Sequence, residues 1–125
     1  MKLFISTKGN MVGLAIADNN DNVGYIKSFK TDTDSKNVQA SLAILRAVSF
    51  MKANRISDDT GVLNVYSDWP MNMERVTNNE YLRRSNLQFY NKQACTDSEK
   101  NVQRTADTSI SLELRRQALG IYIGR

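Results

Sequence analysis

The sequence predicts an α/β domain built on one five-stranded mixed sheet with helices packed on it. Three observations support this prediction. Three short β-type segments follow one another at the N-terminus, a long segment with helical spacing comes next, and another β-type segment follows directly. The chain has 125 residues, 41% of them hydrophobic and 24% charged, which is typical of one globular domain. We therefore expect a single domain over residues 1–125.

The first three strands should form an antiparallel meander. Residues 2–7, 11–18 and 23–30 combine β-branched or aromatic residues with alternating polarity, and short polar segments separate them. Leu3 and Phe4 should face opposite sides of the sheet, because successive side chains of a strand alternate. Connections this short favour pairing between neighbouring strands.

A long helix should follow, from a cap at Asp34 or Ser35 to about Asn54, because apolar residues recur there at spacings of three and four. The next segment, VLNVYS at 62–67, is apolar and β-branched, so it should form a strand buried on both faces. Since a helix connects it to the earlier strands, it should run parallel to one of them.

The second half of the chain carries weaker patterns. Pro70 suits the first turn of a short helix over residues 70–76, and residues 87–92 should form the fifth strand. Residues 93–105 contain few apolar side chains, which indicates a loop or a marginal helix. The last helix should begin near residue 106 and stop at about Gly120. The predicted element order is therefore β-β-β-α-β-α-β-α.

Composition restricts the chemistry that this chain can perform. It has no histidine and one cysteine, which excludes Ser-His-Asp and Cys-His catalytic sites, zinc sites built on these residues and an internal disulfide. The net charge of +4 is compatible with a phosphate-bearing partner. No apolar run could span a bilayer, and the N-terminal segment MKLFIST lacks the pattern of a signal peptide. We therefore expect a cytoplasmic protein without a membrane partner.

The element order and the residues at the strand ends resemble the type 1 ribonuclease H family, with degenerate catalytic acids. That family carries its first acid in a Thr-Asp-Gly motif after strand one, where STKGN here has Lys8. Its second acid is a glutamate in the first turn of the crossover helix, where Gln39 stands here. The third follows the fourth strand, and YSDW supplies Asp68; the fourth opens the last helix, and TAD offers Asp107.

The resemblance implies that active relatives hold two Mg²⁺ ions with these acids. Lys8 would aim a positive charge at the place of a metal ion, and two unit charges about 4 Å apart interact by roughly 4 kcal/mol at an effective dielectric of about 20. We therefore expect no catalytic residue, no metal and no cofactor. Lys8 should instead pair with Asp68, with Asp107 as a further partner. Simpler roles are also open: either aspartate could cap a helix, and Lys8 could be an exposed turn residue.

The stretch EYLRRSNLQFYNK, residues 80–92, interleaves aromatic and basic side chains. Aromatic rings stack on bases and cations hold phosphates, which is the composition of a surface that binds a single strand. A solvated charged face with Phe89 or Tyr90 in the core would have the same composition. The candidate nucleic-acid-binding residues are Tyr81, Arg83, Arg84, Tyr90, Lys92 and Arg104.

These observations favour a catalytically inactive ribonuclease H-like domain that binds RNA, DNA, an RNA–DNA hybrid or a nucleic-acid-handling protein. One alternative is a divergent nuclease that cleaves the RNA of RNA–DNA hybrids with Mg²⁺. It would use Asp68, Asp107 and a third acid such as Asp18 or Glu74. Another alternative is a protein–protein interaction or inhibitor module without nucleic-acid contact.

Overall fold

The computed structural model describes residues 1–56, 61–77, 82 and 87–122. Its strands are β1 (Lys2–Lys8), β2 (Met11–Ala17), β3 (Val23–Lys30), β4 (Val62–Ser67) and β5 (Gln88–Lys92). Its helices are α1 (Lys36–Ala53), α2 (Met73–Val76) and α3 (Asp97–Tyr122). The predicted element order is confirmed.

The five strands form one mixed sheet in the order β3-β2-β1-β4-β5. β2 is antiparallel to β1 and β3, whereas β4 is parallel to β1, and β5 is parallel to β4. The predicted parallel arrangement of the fourth strand is therefore confirmed. Because β1, β4 and β5 run in one direction, their C-terminal ends meet at one edge of the sheet, which we call the carboxyl edge.

The sheet has a core on each face. Leu3 packs on the side of α1, and Phe4 packs on the side of α3, where its ring stacks on Tyr66 with 4.5 Å between centroids. The α3 side is completed by Val102 and Ala106 of that helix. The main buried residues of the α1 side are Leu3, Ile5, Val12, Leu14, Ile44, Val48, Leu63 and Val65. The predicted alternation of Leu3 and Phe4 is confirmed.

The short helix begins later than predicted. α2 starts at Met73 rather than at Pro70, and the Asn72 side chain caps it by accepting a hydrogen bond of 3.2 Å from the Arg75 N–H. The extended backbone of Asn72 and its side-chain amide make it the N-cap, so Asp68 does not cap this helix.

The last helix begins earlier than predicted and is longer. α3 starts at Asp97, so of the residues 93–105 predicted as a loop or marginal helix, 93–96 precede the helix and 97–105 form its first turns. Val102, Ala106 and Ile110 recur at intervals of four and are buried against the sheet, which explains why a polar segment is nevertheless helical. Asp107 therefore lies inside the helix rather than at its start, and it is not a cap. The helix also continues past Gly120 to Tyr122.

Within the residue ranges given above, no helix is both long and apolar enough to cross a bilayer.

Candidate nucleic-acid interface at the carboxyl edge

The four positions at which the ribonuclease H family carries its acids lie at or near the carboxyl edge. Lys8 ends β1 and Asp68 follows β4, and these strands are parallel, with Ile5 opposite Ser67. Gln39 lies in the first turn of α1 and reaches the turn after Lys8. Asp107 of α3 is near enough to raise the pKa of Asp68 by charge repulsion.

Gln39 is a structural clamp. Its Nε2 donates to the main-chain oxygens of Gly9 and Thr33 at 2.8 and 2.9 Å, with a longer contact of 3.3 Å to Thr31 Oγ1. The side chain is fully buried and joins the β1–β2 turn to the connection between β3 and α1. A glutamate here would have no hydrogen to donate to these oxygens while ionised. The fold at this position therefore uses an amide donor.

Lys8 does not form the predicted ion pair. Its side chain is exposed, and it makes no hydrogen bond or ion pair with the residues that the structure describes, Asp68 included. It precedes Gly9, whose positive φ of 60° closes the tight turn between β1 and β2. The exposed ammonium of Lys8 is accessible to water, and burying it against Asp68 would cost free energy.

Asp68 is a carboxylate in a mixed electrostatic environment. Desolvation raises its pKa most, a backbone hydrogen bond and the positive charge of Lys36 lower it, and the charge of Asp107 raises it. The Lys36 ammonium also lies 5.6 Å from the ring centroid of Trp69, the residue after Asp68. The attractive charge near Asp68 therefore comes from α1 rather than from Lys8.

The third acid proposed for a nuclease is not found with Asp68. Asp18 accepts hydrogen bonds from the backbone of Asn20 and Asn22 in the β2–β3 turn. It follows Ala17, which pairs with Lys2 at the start of β1, so it lies at the edge opposite Asp68. Glu74 is exposed on α2. A search of the described residues finds no cluster of three or more potential metal ligands.

The donor set at the carboxyl edge does not fit the two Mg²⁺ ions of active ribonucleases H. Magnesium requires hard oxygen ligands with enough negative charge, and of the four positions only 68 and 107 carry an acid, with Asp107 exposed on α3. Gln39 Oε1 accepts no hydrogen bond from a described residue, but the side chain is enclosed in protein and carries no charge. We therefore derive no metal-dependent step for this chain.

A cavity of about 320 Å³ opens beside Asp68. Its lining residues are Ser67, Asp68, Gln93, Ala94, Lys100, Gln103 and Arg104. Lys100 and Arg104 are one turn apart on α3, so both can contact one bound group. Gln103 donates hydrogen bonds of 2.8 Å to the Ile5 oxygen and 2.9 Å to Ser6 Oγ, which fixes this part of α3 on β1. The cavity can hold an anion between two cations.

The predicted nucleic-acid-binding residues divide into two groups. Tyr90 and Lys92 are exposed on β5, and Arg104 lines the cavity, where its guanidinium donates to Asn101 Oδ1 at 3.1 Å. The other three predicted residues, Tyr81, Arg83 and Arg84, lie outside the described residues.

Comparison with known proteins gives one structural similarity. No protein-family model matches the chain, and no curated protein matches it. The crystal structure of RNase H1 from the halophilic archaeon Halobacterium salinarum NRC-1 is similar with a TM-score of 0.46 and 10% sequence identity, covering 88% of this chain and 95% of that one. The fold is defined by the strand order β3-β2-β1-β4-β5, in which β2 runs antiparallel to the other four strands.

The fold is ribonuclease H-like. Within this ribonuclease H-like sheet, the carboxyl edge carries Lys100 and Arg104 of α3 beside Asp68. The sequence analysis singled out Arg104 but did not identify Lys100 or Gln103. Residues 100, 103 and 104 are spaced so that they lie on one face of a helix. This pattern can be recognised only once α3 is known to start at Asp97.

Sequence analysis also missed Glu99, which holds the start of α3. Glu99 Oε2 accepts hydrogen bonds from Tyr66 Oη at 2.6 Å and Lys2 Nζ at 3.2 Å. Glu99 Oε1 accepts from the Thr96 N–H while Thr96 Oγ1 accepts from the Glu99 N–H. This is a capping box, and its signature, Thr-x-x-Glu at 96–99, is present in the sequence.

The Glu99 contacts also set its acidity. Burial by itself would raise the pKa of Glu99, but the hydrogen bonds from Tyr66, from the backbone of Thr96 and Cys95 and from Lys2 lower it to about 2. Burial and the hydrogen bond to Glu99 raise the pKa of Tyr66. Tyr66 therefore remains a phenol donor to an ionised Glu99, and this pair positions the helix that carries Lys100 and Arg104.

Proposed function

We propose that this chain is a ribonuclease H-like domain that binds nucleic acid without cleaving it. The observation that carries the proposal is the cavity beside Asp68, in which Lys100 and Arg104 outnumber the single carboxylate. Cations at this edge attract the phosphates of a nucleic acid, whereas they repel the divalent ions that cleavage would need.

The position of Gln39 supports the non-catalytic part of the proposal. Its amide hydrogens are directed at the oxygens of Gly9 and Thr33, so a metal-binding acid at this position would face carbonyl groups. The chain has therefore adapted this position to hold the fold together. Lys8, Asp68 and Asp107 complete the remnant site, in which we assign no catalytic role.

The proposal is tested by binding and cleavage assays on the same purified protein. Fluorescence anisotropy with labelled RNA, DNA and RNA–DNA hybrid, at about 50 to 200 mM salt, should show binding that weakens steeply with salt. Lys100→Gln and Arg104→Gln should each reduce the slope of log affinity against log salt by about 1. Lys27→Gln is the matched control, because Lys27 is exposed on β3, the outer strand farthest from β4 and β5.

Cleavage should be absent with Mg²⁺ and with Mn²⁺. Cleavage of a hybrid that disappears in Asp68→Asn would overturn the proposal and establish the nuclease alternative. Absence of binding to all three probes would also overturn it and favour the protein-interaction alternative.

A further inference from the structure

We infer that the bound nucleic acid is single-stranded and that Tyr90 provides the ring on which one of its bases stacks. This inference rests on the proposed function and names the class of ligand. It starts from the face of the sheet on which Tyr90 lies. Lys92 Nζ lies 4.9 Å from the ring centroid of Tyr66, a residue of the core under α3. Tyr90 is two residues earlier on β5 and therefore lies on the same face.

α3 leaves this part of the sheet uncovered. The helix is anchored near its start by Glu99 to Tyr66, then by Gln103 to Ile5, and further along Ser109 accepts a hydrogen bond from Ser28 of β3. It therefore crosses the sheet from β4 and β1 towards β3, away from β5.

The ring of Tyr90 is consequently accessible and held in place. The residue is 49% exposed although it belongs to a paired strand. Its hydroxyl donates a hydrogen bond of 3.1 Å to Gln88 Oε1, the neighbour on the same face of β5. An aromatic ring fixed on an open sheet surface loses little conformational entropy when a base stacks on it.

Basic side chains lie between the Tyr90 ring and the cavity beside Asp68. Lys92 follows Tyr90 at about 7 Å along the strand. Gln93, the next residue, lines the cavity that holds Lys100 and Arg104. We call Tyr90, Lys92, Lys100 and Arg104 the stacking strip. A strand lying along it can place a base on the ring and successive phosphates on the cations.

A single strand uses this arrangement better than a duplex. In a duplex the base faces are covered by their neighbours, so only its phosphates could contact the strip. An unpaired base can turn its face to Tyr90, and stacking of this kind contributes about 1–3 kcal/mol per base. Tyr90 should therefore contribute to single-strand affinity and not to duplex affinity.

The test compares labelled oligonucleotides of about 12 nucleotides with the duplex of the same sequence, by anisotropy. Tyr90→Leu should weaken single-strand binding at least about fivefold and leave duplex binding unchanged, because only stacking is removed. Tyr90→Phe, which keeps the ring, should bind within about twofold of the natural protein. Circular dichroism of both variants checks that they are folded.

A second measurement uses the natural protein and does not depend on the folding of a variant. An oligonucleotide that lacks bases should bind more weakly than the normal strand, with an unchanged salt slope. Equal affinity of normal and abasic strands, equal affinity of Tyr90→Leu and natural protein, or a duplex bound as tightly as the single strand would overturn the inference. Binding that still depends on Lys100 and Arg104 would then leave the proposed function standing. If no nucleic acid binds, both fail.

Discussion

The side-chain amide of Gln39 donates a hydrogen bond of 2.8 Å to the main-chain oxygen of Gly9, the residue that follows Lys8. The positions at which the ribonuclease H family carries its first two acids have other roles here: Lys8 is exposed to solvent, and Gln39 holds the turn that follows it. At the carboxyl edge, Gln39 is therefore a structural hydrogen-bond donor at the position where the ribonuclease H family carries a metal-binding glutamate.

Gln39→Glu should destabilise the fold rather than restore a metal site. At neutral pH its carboxylate would lie against the oxygens of Gly9 and Thr33, and a buried charge without a donor costs about 3 kcal/mol or more. Urea unfolding followed by circular dichroism measures this loss. Gln39→Met, which removes the hydrogen bonds without adding charge, should lose less. A Gln39→Glu protein as stable as the natural one and able to bind Mg²⁺ would contradict the clamp.

Nucleic-acid affinity should increase as Asp68 becomes protonated. The pKa of Asp68 is raised by desolvation and by Asp107, while Lys36 lowers it, and Lys100 and Arg104 line the same cavity. Protonation removes a negative charge beside the phosphate site, so binding should tighten as the pH falls. Asp68→Asn should bind about two- to fivefold more tightly than the natural protein at neutral pH. Its affinity should also vary less with pH.

The comparison for Asp68→Asn is Glu113→Gln, which removes an acid from the part of α3 that lies beside β3. Anisotropy between about pH 4, close to the ordinary pKa of an aspartate, and about pH 7.5 would show the difference. Weaker binding by Asp68→Asn would mean that this carboxylate contacts the ligand directly.

Glu99→Gln should destabilise the protein by about 2 kcal/mol at neutral pH, because it weakens the acceptor for Tyr66 and Lys2. The pKa of Glu99 falls from 4.5 to about 2 on folding. A lowered pKa means that the carboxylate stabilises the fold above about pH 4.5 and loses this effect as the pH falls towards 2. The difference between Glu99→Gln and the natural protein should therefore shrink over this range in urea unfolding.

The control for Glu99→Gln is Glu113→Gln, since the Glu113–Arg116 ion pair is largely exposed on the arginine side and should contribute less than about 1 kcal/mol. A difference for Glu99→Gln that stays constant from pH 7 to pH 2.5 would show that the charge of Glu99 has no role in stability.

Gly13→Ala should push α3 away from β2 and destabilise the fold. A methyl group at Gly13 would lie 2.7 Å from Ser109 Oγ and 2.9 Å from Ile110 Cγ1, and closer still to the Ala106 oxygen. We expect a loss of about 3 kcal/mol in the free energy of unfolding, because the helix backbone would have to move. Gly24→Ala on β3 meets no atom within 4 Å and should change the stability by less than about 0.5 kcal/mol. Equal stability of the two variants would refute the close contact.

Local patterns in the sequence were sufficient for most of the sheet. The segments 23–30 and 62–67 match β3 and β4, because alternation and β-branching are properties of neighbouring residues. The parallel direction of β4 followed from the length of its helical connection. The composition, without histidine and with one cysteine, already excluded several classes of catalytic site.

The start of α3 could not be predicted in this way. Residues 97–105 are polar apart from Val102, and their helical conformation is supported by burial of Val102 against the sheet and by Glu99, which accepts hydrogen bonds from the distant residues Tyr66 and Lys2. The capping box was readable, but its strength comes from these distant donors. Since α3 carries Lys100 and Arg104, the cationic cavity was not predictable either.

By itself, the sequence determined the strands, their order along the chain and the non-acidic residues at positions 8 and 39. Only the tertiary structure decided what those positions do instead. A side chain acts through the groups that surround it, and here Gly9, Thr33 and α3 reach the carboxyl edge from separate parts of the chain. Their meeting turns Gln39 into a clamp and places two cations beside Asp68.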